Sequence, residues 1–255
     1  MIIRANNFFE VWVKLNEAFV QCDDSNKLIW NSRRQEYYLE IPQMLIRIKS
    51  PTVPSLYLED LFYSSRGSKI SHLLNKYLDL PRTHWWLDQI DRWDRVDSPL
   101  FLPTKNDHLY NKNCIIGFSF KTSPKPRLTV LYRALEMPAK GGADFFLISA
   151  IAQEVMKRIK ERTTVVIFSD VCWVTSRTAR IYLMYKYPEK IIYSHHTFNK
   201  VVQEGWEVYF MGSKTFLSTS GKRLQKACRS LMENQPKRID QEVFYQKFKL
   251  FLEGK

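Results

Sequence analysis

The chain has 255 residues, of which 45% are hydrophobic and 14% are aromatic, and its formal net charge is +13. This apolar content excludes an intrinsically disordered chain and is enough to fill the core of one large domain. No stretch of about 18 apolar residues is present, as a membrane-spanning helix would need. Four widely spaced cysteines, with no pair at CxxC spacing, argue against a zinc site and a disulfide framework: Cys22, Cys114, Cys172 and Cys228. We therefore expect a cytoplasmic globular protein with no metal and no membrane segment.

The excess positive charge is concentrated in a few segments. Lysines and arginines flank the prolines of residues 121–127, close the helix predicted to end near residue 162, and fill the C-terminal third, including Lys222, Arg223, Lys226 and Arg229. Such a surplus favours contact with a polyanion or an acidic partner, although each run can also be an ordinary solvated surface. No phosphate-binding loop or nucleic-acid-binding motif accompanies the charge. It therefore indicates a class of partner and no mechanism.

The first half of the chain predicts a mixture of helix and strand. Apolar spacing predicts a helix over residues 8–20, capped by Asn6 or Asn7. Two apolar runs, 37–41 and 44–49, predict strands that end before Pro51. Helices are predicted at 56–63 and 70–80, and an irregular connection around the tryptophans Trp85, Trp86 and Trp93.

The second half predicts a hairpin, a long helix and further alternating elements. Residues 114–120 and 127–133 predict two strands joined by a proline-rich turn. A glycine-bearing loop at 138–142, a buried helix from 145 to about 162 and a strand at 163–168 follow. A helix at 178–187, a strand at 206–210 and two basic helices from residue 221 complete the pattern. We expect an α+β single domain over 1–255, with a mixed or antiparallel sheet packed by helices and a basic helical extension at 221–255.

Three residues are candidates for chemistry, each with a structural alternative. Cys114 opens an apolar strand, where it is either a small buried hydrophobe or a thiolate nucleophile activated by a nearby cation such as Arg133. Asp144 precedes an apolar run, where it either caps a helix or hydrogen-bonds the edge of a ligand. Glu59 lies in a predicted amphipathic helix, where surface carboxylates are common.

The segment from residue 113 to 149 resembles the centre of the thymidylate synthase and deoxycytidylate hydroxymethylase family. That family has a cysteine at the start of a strand, which Cys114 matches, and a phosphate-binding arginine at the end of the next, which Arg133 matches. Glu136 falls where the family usually has aspartate, which would make it a nucleotide-binding residue as well. Asp144 falls where the synthases carry an asparagine that binds uracil and the hydroxymethylases an aspartate that binds cytosine. Upstream, the segment around Glu59 resembles the family's glutamate helix, and Trp85 or Trp86 its tryptophans.

The resemblance implies an enzyme that transfers a one-carbon unit to C5 of a pyrimidine deoxynucleotide, with dCMP or dUMP as substrate and methylenetetrahydrofolate as donor. Cys114 would add to C6 of the base, Arg133 would bind the phosphate, and Asp144 would orient the base edge. Glu59 would relay protons. The family's homodimers exchange arginines across the interface, a role that Arg33 and Arg34 would fill unless they are ordinary surface residues. Such chemistry suits a virus that modifies its DNA bases.

A binding protein is the alternative interpretation. The family's histidine and tyrosine, which hold the deoxyribose, are absent from the corresponding stretch 170–177. A catalytically inactive member with this positive charge would bind single-stranded DNA or a polymerase as a viral replication or transcription factor. Its contacts would be the basic tail residues Lys222, Arg223, Lys226 and Arg229.

Overall fold

The structure is a computed structural model that describes residues 1–20, 28–31, 36–51, 74, 78–92, 100–101, 114–137, 139–175 and 241–254. The strands in these ranges are β1 (Ile2–Ala5), β2 (Leu28–Asn31), β3 (Glu36–Ile48), β4 (Leu100–Phe101), β5 (Ile115–Lys121), β6 (Arg127–Met137) and β7 (Thr164–Thr175). The helices are α1 (Phe8–Val20), α2 (Leu80–Arg92), α3 (Ala139–Ile159) and α4 (Gln241–Leu252).

The described strands form one mixed sheet of seven strands. Six follow the order β1-β3-β7-β6-β5-β4, and β2 pairs with β3 beside that path. The pairs β1–β3 and β6–β7 are parallel, and the other pairs are antiparallel. Helix α3 connects the parallel strands β6 and β7, as a parallel pair requires a crossover. The predicted α+β fold with a mixed sheet packed by helices is confirmed.

Helix α1 begins and ends where the hydrophobic spacing predicts. Asn7 caps it, because the backbone N–H of Glu10 donates to Asn7 Oδ1 at 2.9 Å. The backbone N–H of Asn6 donates in turn to the Glu10 carboxylate at 2.7 Å, so two backbone donors at this helix end are satisfied by side chains. The buried face of α1 packs on the core, with the Phe8 ring 5.0 Å from that of Phe145.

Helix α3 is the centre of the core. Its apolar residues are almost all buried, and they surround the helix instead of forming one stripe: Phe145, Phe146, Leu147, Ile148, Ala150, Ile151, Ala152 and Val155. A helix that is apolar on all sides is covered on all sides. One side of α3 packs on β6, and α2 and α4 pack against the helix as well.

The beginning of α3 corrects the prediction of a glycine-bearing loop at 138–142. The helix begins at Ala139, so Gly141 lies in its first turn. A Cβ atom at Gly141 would lie 2.6 Å from Met137 Sδ, 2.9 Å from Leu135 Cδ1 and 3.0 Å from the Glu136 carbonyl oxygen. The glycine therefore permits close packing of α3 on the end of β6, and it does not form a turn.

We expect Gly141→Ala to lower the free energy of unfolding by about 1–3 kcal/mol, the usual cost of overpacking. Helix propensity alone would act the other way, because alanine stabilises a helix interior by about 1 kcal/mol relative to glycine. Urea unfolding of both proteins checks the sign. A Met137→Ala background should reduce the loss, because it removes the nearest atom. A stabilised Gly141→Ala protein would contradict the packing role.

Helix α2 corrects the prediction of an irregular connection around the tryptophans. Thr83, Trp86, Leu87 and Ile90 are buried at helical spacing, while Trp85 is 52% exposed. Asp79 caps the helix by accepting a hydrogen bond from the backbone N–H of Arg82 at 3.0 Å. The charged residues of this segment made its amphipathic pattern, which consists of these four buried side chains, hard to recognise in the sequence.

Two strands are longer than predicted. The strands predicted at 37–41 and 44–49 form the single strand β3, and β7 continues past residue 168 to Thr175. The hairpin of β5 and β6 is confirmed. The elements predicted at 56–63, 178–187 and 206–210 lie outside the described residues, as does the first of the two basic C-terminal helices.

Helix α4 confirms the second predicted C-terminal helix and packs into the core. Phe248 is fully buried, and Tyr245 is 8% exposed. The Tyr245 hydroxyl donates to Glu154 Oε2 at 2.9 Å, and Arg158 Nε donates to Glu154 Oε1 at 3.1 Å. The buried carboxylate of Glu154 thus has two partners, one of which belongs to α4.

We expect Phe248→Ala to lower the free energy of unfolding by about 3–5 kcal/mol, because it leaves a cavity against α3. Leu250→Ala on the same helix is the control: Leu250 is 46% exposed, and its truncation should cost about 0.5 kcal/mol or less. Chemical denaturation of the two variants measures the difference. Equal, small losses would show that α4 adds little to the stability of the domain.

Candidate active site

A line of irregular positions crosses the sheet. In a regular strand, one residue lies between successive side chains that face the core. In three neighbouring strands of this sheet, two residues lie between them. These positions are between Ile41 and Met44 in β3, between Ser169 and Cys172 in β7, and between Tyr132 and Leu135 in β6. The residues on either side of these positions are paired in register across β3, β7 and β6. Gln43, Asp170 and Arg133 therefore lie at the same level of the sheet. Gln43 has a φ of 49°. We call this level the bulge line.

The bulge line reaches β5 at Cys114. The register of β5 against β6 shifts between Ile115 and Gly117. Just before that shift, the backbone N–H of Arg133 donates to the carbonyl oxygen of Cys114 at 2.9 Å. Bulges redirect side chains and are common beside active sites. The candidate nucleophile and the candidate phosphate ligand therefore lie opposite each other on neighbouring strands.

Cys114 and Cys172, the two described cysteines, differ in their access to solvent. Cys114 is partly exposed and packs on one side against the core. Cys172 is fully buried, and its burial raises the pKa of its thiol. Only a thiol that reaches solvent can meet a substrate, so Cys114 is the candidate nucleophile of the pair.

The Arg133 side chain is available to an anion. It is exposed, and it forms no ion pair in the described part of the chain. Asp170, the acidic residue beside it on the bulge line, is also exposed and makes no ion pair with it. A guanidinium without a carboxylate partner is a ready ligand for phosphate.

Asp144 is not a helix cap. It is the sixth residue of α3 and is 2% exposed. It follows Gly141 by one turn, which places it on the face of α3 toward β6. The capping alternative is wrong because the helix begins at Ala139, six residues earlier than the sequence predicts.

Glu136 lies on the other side of the sheet from α3. Leu135 and Met137 contact the position of Gly141, and alternate residues of a strand point to opposite faces. Glu136 is 5% exposed and stands directly opposite Trp173, which in turn stands opposite Glu40. The structure therefore separates Glu136 from Asp144, which the sequence had grouped in one nucleotide site.

Sequence analysis missed the carboxylate of Glu40. Burial, and then the nearby charge of Asp170, raises the pKa of Glu40. The only signal in the sequence was an acidic residue within an apolar strand. That signal does not predict that the sheet brings Asp170 close to Glu40.

The remaining candidates lie outside the described residues: Glu59, Arg33, Arg34, Lys222, Arg223, Lys226 and Arg229. Among the described residues, no group of His, Cys, Asp and Glu side chains could hold a metal ion. None of the described helices is long and apolar enough to cross a membrane. Of the stretch 170–177, the part up to Thr175 belongs to β7, where Cys172 and Val174 are fully buried.

Comparison with known proteins gives a likeness of backbone only. No family of known proteins matches the chain, and no curated protein matches it. Among solved structures, the chain is similar to thermostable thymidylate synthase A from Bacillus subtilis, with 13% sequence identity and a TM-score of 0.48. The alignment covers 72% of this chain and 85% of that chain. A likeness at this level says nothing about substrate or catalysis.

Proposed function

We propose that the chain acts on C5 of a pyrimidine deoxynucleotide, dCMP or dUMP, with Cys114 as the nucleophile. One observation carries the proposal: Arg133 and Cys114 stand opposite each other at 2.9 Å between backbone atoms, beside a break in the strand register. Side chains of directly opposite residues start from Cβ atoms about 5 Å apart. A long arginine side chain spans that distance, so one ligand can contact both groups.

The chemistry requires a thiolate, and Arg133 supports its formation. A guanidinium nearby favours the charged form of a thiol and so lowers its pKa. The Cys114 thiolate adds to C6 of the base, and the electron pair of the C5–C6 double bond moves to C5. A proton from water is taken up at C5, a proton is later lost from C5, and the thiolate leaves C6. Arg133 meanwhile holds the 5′-phosphate by paired hydrogen bonds.

Asp144 is proposed to select the base. Ionised, its carboxylate accepts a hydrogen bond from the exocyclic amine of cytosine; protonated, it offers a donor beside an acceptor. Its burial fits such a role, because polar recognition in a site closed to water discriminates strongly between two bases. A nucleotide contact by Glu136 stays a prediction, and its side chain points away from α3.

Methylenetetrahydrofolate is the proposed one-carbon donor. Trp85 fits a flat pteridine ring, because its indole is 52% exposed on α2 and can stack on an aromatic ligand. When bound, the folate supplies the one-carbon unit that C5 receives. Trp85 would orient it and exclude water from one of its faces.

Several finer statements stay predictions. They are proton relay by Glu59, phosphate contacts from Arg33 and Arg34 across a homodimer, a cytoplasmic location and a viral origin. The alternative, binding of single-stranded DNA or a polymerase through Lys222, Arg223, Lys226 and Arg229, also stays a prediction. Its residues lie outside the described part of the chain.

Release of tritium from the C5 position of labelled dCMP and dUMP tests the proposal. Addition of Cys114 to C6 makes the C5 hydrogen exchange with water, so tritiated water should accumulate even without folate. A faster release from dCMP than from dUMP would support selection by Asp144. No release from either nucleotide, with and without methylenetetrahydrofolate, would refute the proposed function.

A further inference from the structure

A buried hydroxyl lies on the bulge line, in the middle one of the three strands that the line crosses. Ser169 is 4% exposed, and it is the last core-facing residue of β7 before the bulge of that strand. Its Oγ donates a hydrogen bond to the carbonyl oxygen of Val171 at 2.8 Å. This hydrogen bond spans Asp170 and joins the residues on either side of it. A side chain of β7 therefore closes the bulge of β7 locally.

The pairing of β7 with its neighbours is interrupted at this level of the sheet. The register of β7 against both β3 and β6 passes from Ser169 to Val171 without including Asp170. Pro42, the residue of β3 opposite Val171, has no N–H to donate. A carbonyl group within a sheet costs stability when it has no donor. The Ser169 hydroxyl supplies a donor at a place where the neighbouring strand has one fewer to give.

The bulge of β7 lies against the segment of β6 that carries Arg133. The residues before and after Arg133 are paired with Ser169 and Val171. On the other side of β6, the backbone N–H of Arg133 donates to the carbonyl oxygen of Cys114 at 2.9 Å. The backbone around Arg133 is therefore fixed by β5 on one side and by the bulge of β7 on the other.

The shape of a bulge decides where its side chains point. The Arg133 side chain is exposed, so the direction in which it leaves the backbone sets the region that its guanidinium reaches. The proposed chemistry needs that region to include the Cys114 thiol and the nucleotide phosphate. A misplacement of a catalytic or binding group by about 1 Å can cost about a hundred-fold in rate. The geometry of the β7 bulge therefore matters for the action of Arg133.

We propose that Ser169 is a positioning residue, whose hydrogen bond to Val171 fixes the bulge of β7 and thereby directs Arg133 toward Cys114. The inference rests on the proposed function for its catalytic consequence, but the effect of Arg133 on the thiol does not need a substrate. The alternative is a purely structural hydroxyl, which adds stability and leaves the surroundings of Cys114 unchanged. The two roles differ in the reactivity of Cys114 in the molecules that are folded.

The rate at which iodoacetamide modifies Cys114 measures the effect of Arg133, and mass spectrometry of the Cys114 peptide resolves it from the other cysteines. At pH 7 we expect Arg133→Met to react about ten-fold more slowly than the parent, because the thiolate loses a nearby cation. Ser169→Ala should react at least about three-fold more slowly. The double variant should react no more slowly than Arg133→Met alone, since Ser169 acts through Arg133. At about pH 10, where a thiol is ionised without a cation, the four rates should converge.

Two variants distinguish positioning from the general loss of a buried hydroxyl. Ser169→Thr keeps the hydroxyl and should react within about two-fold of the parent. Ser149→Ala removes another buried hydroxyl, which donates to the Pro51 carbonyl, and should leave the rate unchanged. Circular dichroism confirms that each variant is folded. If Ser169→Ala does not fold, Ser169→Cys takes its place, because a thiol of similar size is only a weak donor, and at least about a two-fold slowing is expected.

The catalytic consequence is measured by tritium release. Ser169→Ala should raise the KM for dCMP by at least about five-fold, with a smaller loss in kcat, because a misplaced Arg133 binds the phosphate less well. Ser169→Thr should restore the KM. A loss of folded protein alone would lower the apparent kcat and leave the KM unchanged, so this comparison also separates positioning from stability.

Three results would overturn the inference. One is the parent's rate of alkylation in Ser169→Ala. Another is the parent's rate in Arg133→Met, since the thiol would then have no effect of Arg133 to lose. The third is a double variant that reacts more slowly than Arg133→Met, which would mean that Ser169 acts by another route. If the parent releases no tritium while Ser169→Ala and Arg133→Met both slow alkylation, the proposed function fails and the positioning role stands. Tritium release by the parent with unchanged alkylation in Ser169→Ala gives the opposite result.

Discussion

Replacing Cys114 with serine is expected to reduce tritium release from C5-labelled dCMP or dUMP by at least about a thousand-fold. The hydroxyl of serine is ionised far less than a thiol, so it is a much weaker nucleophile. Nucleotide binding should persist, because Arg133 and Asp144 are untouched. Isothermal titration with dCMP measures binding, and the tritium assay measures the chemistry.

Cys172→Ala is the matched control. Cys172 is fully buried on β7, and its pKa is raised by burial, so it has neither the access nor the charge of a nucleophile. Its replacement should cost stability by a cavity while leaving tritium release per folded molecule unchanged. If Cys114→Ser retained full activity, Cys114 would be a small hydrophobe at the end of a strand and the enzyme hypothesis would fail.

Alkylation independently measures the difference in accessibility between Cys114 and Cys172. Iodoacetamide should modify Cys114 rapidly and Cys172 only after unfolding, as resolved by mass spectrometry of the two peptides. Arg133→Met should slow the modification of Cys114, since it removes the cation that favours the thiolate. An equal rate in both proteins would show that Arg133 does not act on the thiol.

Local patterns predicted the elements that have regular spacing and their own end signals. Helix α1 is the clearest case, because its apolar stripe and its Asn7 cap specify both ends. The hairpin of β5 and β6 was predictable for a similar reason: two apolar runs enclose a proline-rich turn. Helix α2 was missed because three tryptophans and several charges obscured a stripe that only burial reveals.

Tertiary contacts decided the features that the sequence could not predict. Gly141 looked like a turn residue, yet it lies in a helix because β6 leaves no room for a side chain there. The bulge line arises from coincident breaks in three strands that are far apart in sequence, and no single strand carries a signal for it. Cys114 and Arg133 could be paired from the hairpin alone. Their place on the bulge line required the whole sheet.

Only the part of the candidate site that depends on local strand register could be predicted from the sequence. The hairpin fixes Cys114 opposite Arg133 through local register, which sequence can suggest. Glu136 is separated from Asp144 because it points to the face of β6 that is turned away from α3. A shift of one residue along the strand would reverse which side chains face α3. The bulge between Tyr132 and Leu135 changes which later side chains face the core, so spacing along the chain alone does not tell on which face Glu136 lies.

Asp144→Asn should reverse the choice between cytosine and uracil. The carboxylate favours the exocyclic amine of cytosine, whereas the amide donates an N–H to O4 of uracil. We expect the parent protein to prefer dCMP, and the variant to prefer dUMP, each by roughly a hundred-fold or more, as polar recognition in a buried site allows. Titration of both proteins with both nucleotides measures the four affinities.

A purely structural Asp144 would give a different result, now that a helix cap is excluded. Replacing its buried carboxyl group with an amide would change the free energy of unfolding and leave the ratio of the two affinities unchanged. Ser149→Ala on the same helix is the control for a buried polar loss: its hydroxyl donates to the Pro51 carbonyl, so it should cost stability by about 1 kcal/mol. That variant should not alter base preference. A ratio of affinities is unaffected by a loss of folded protein that is common to both titrations. An unchanged ratio in Asp144→Asn would therefore contradict the role of Asp144 in base selection. Nucleophilic addition by Cys114 would then be judged by tritium release alone.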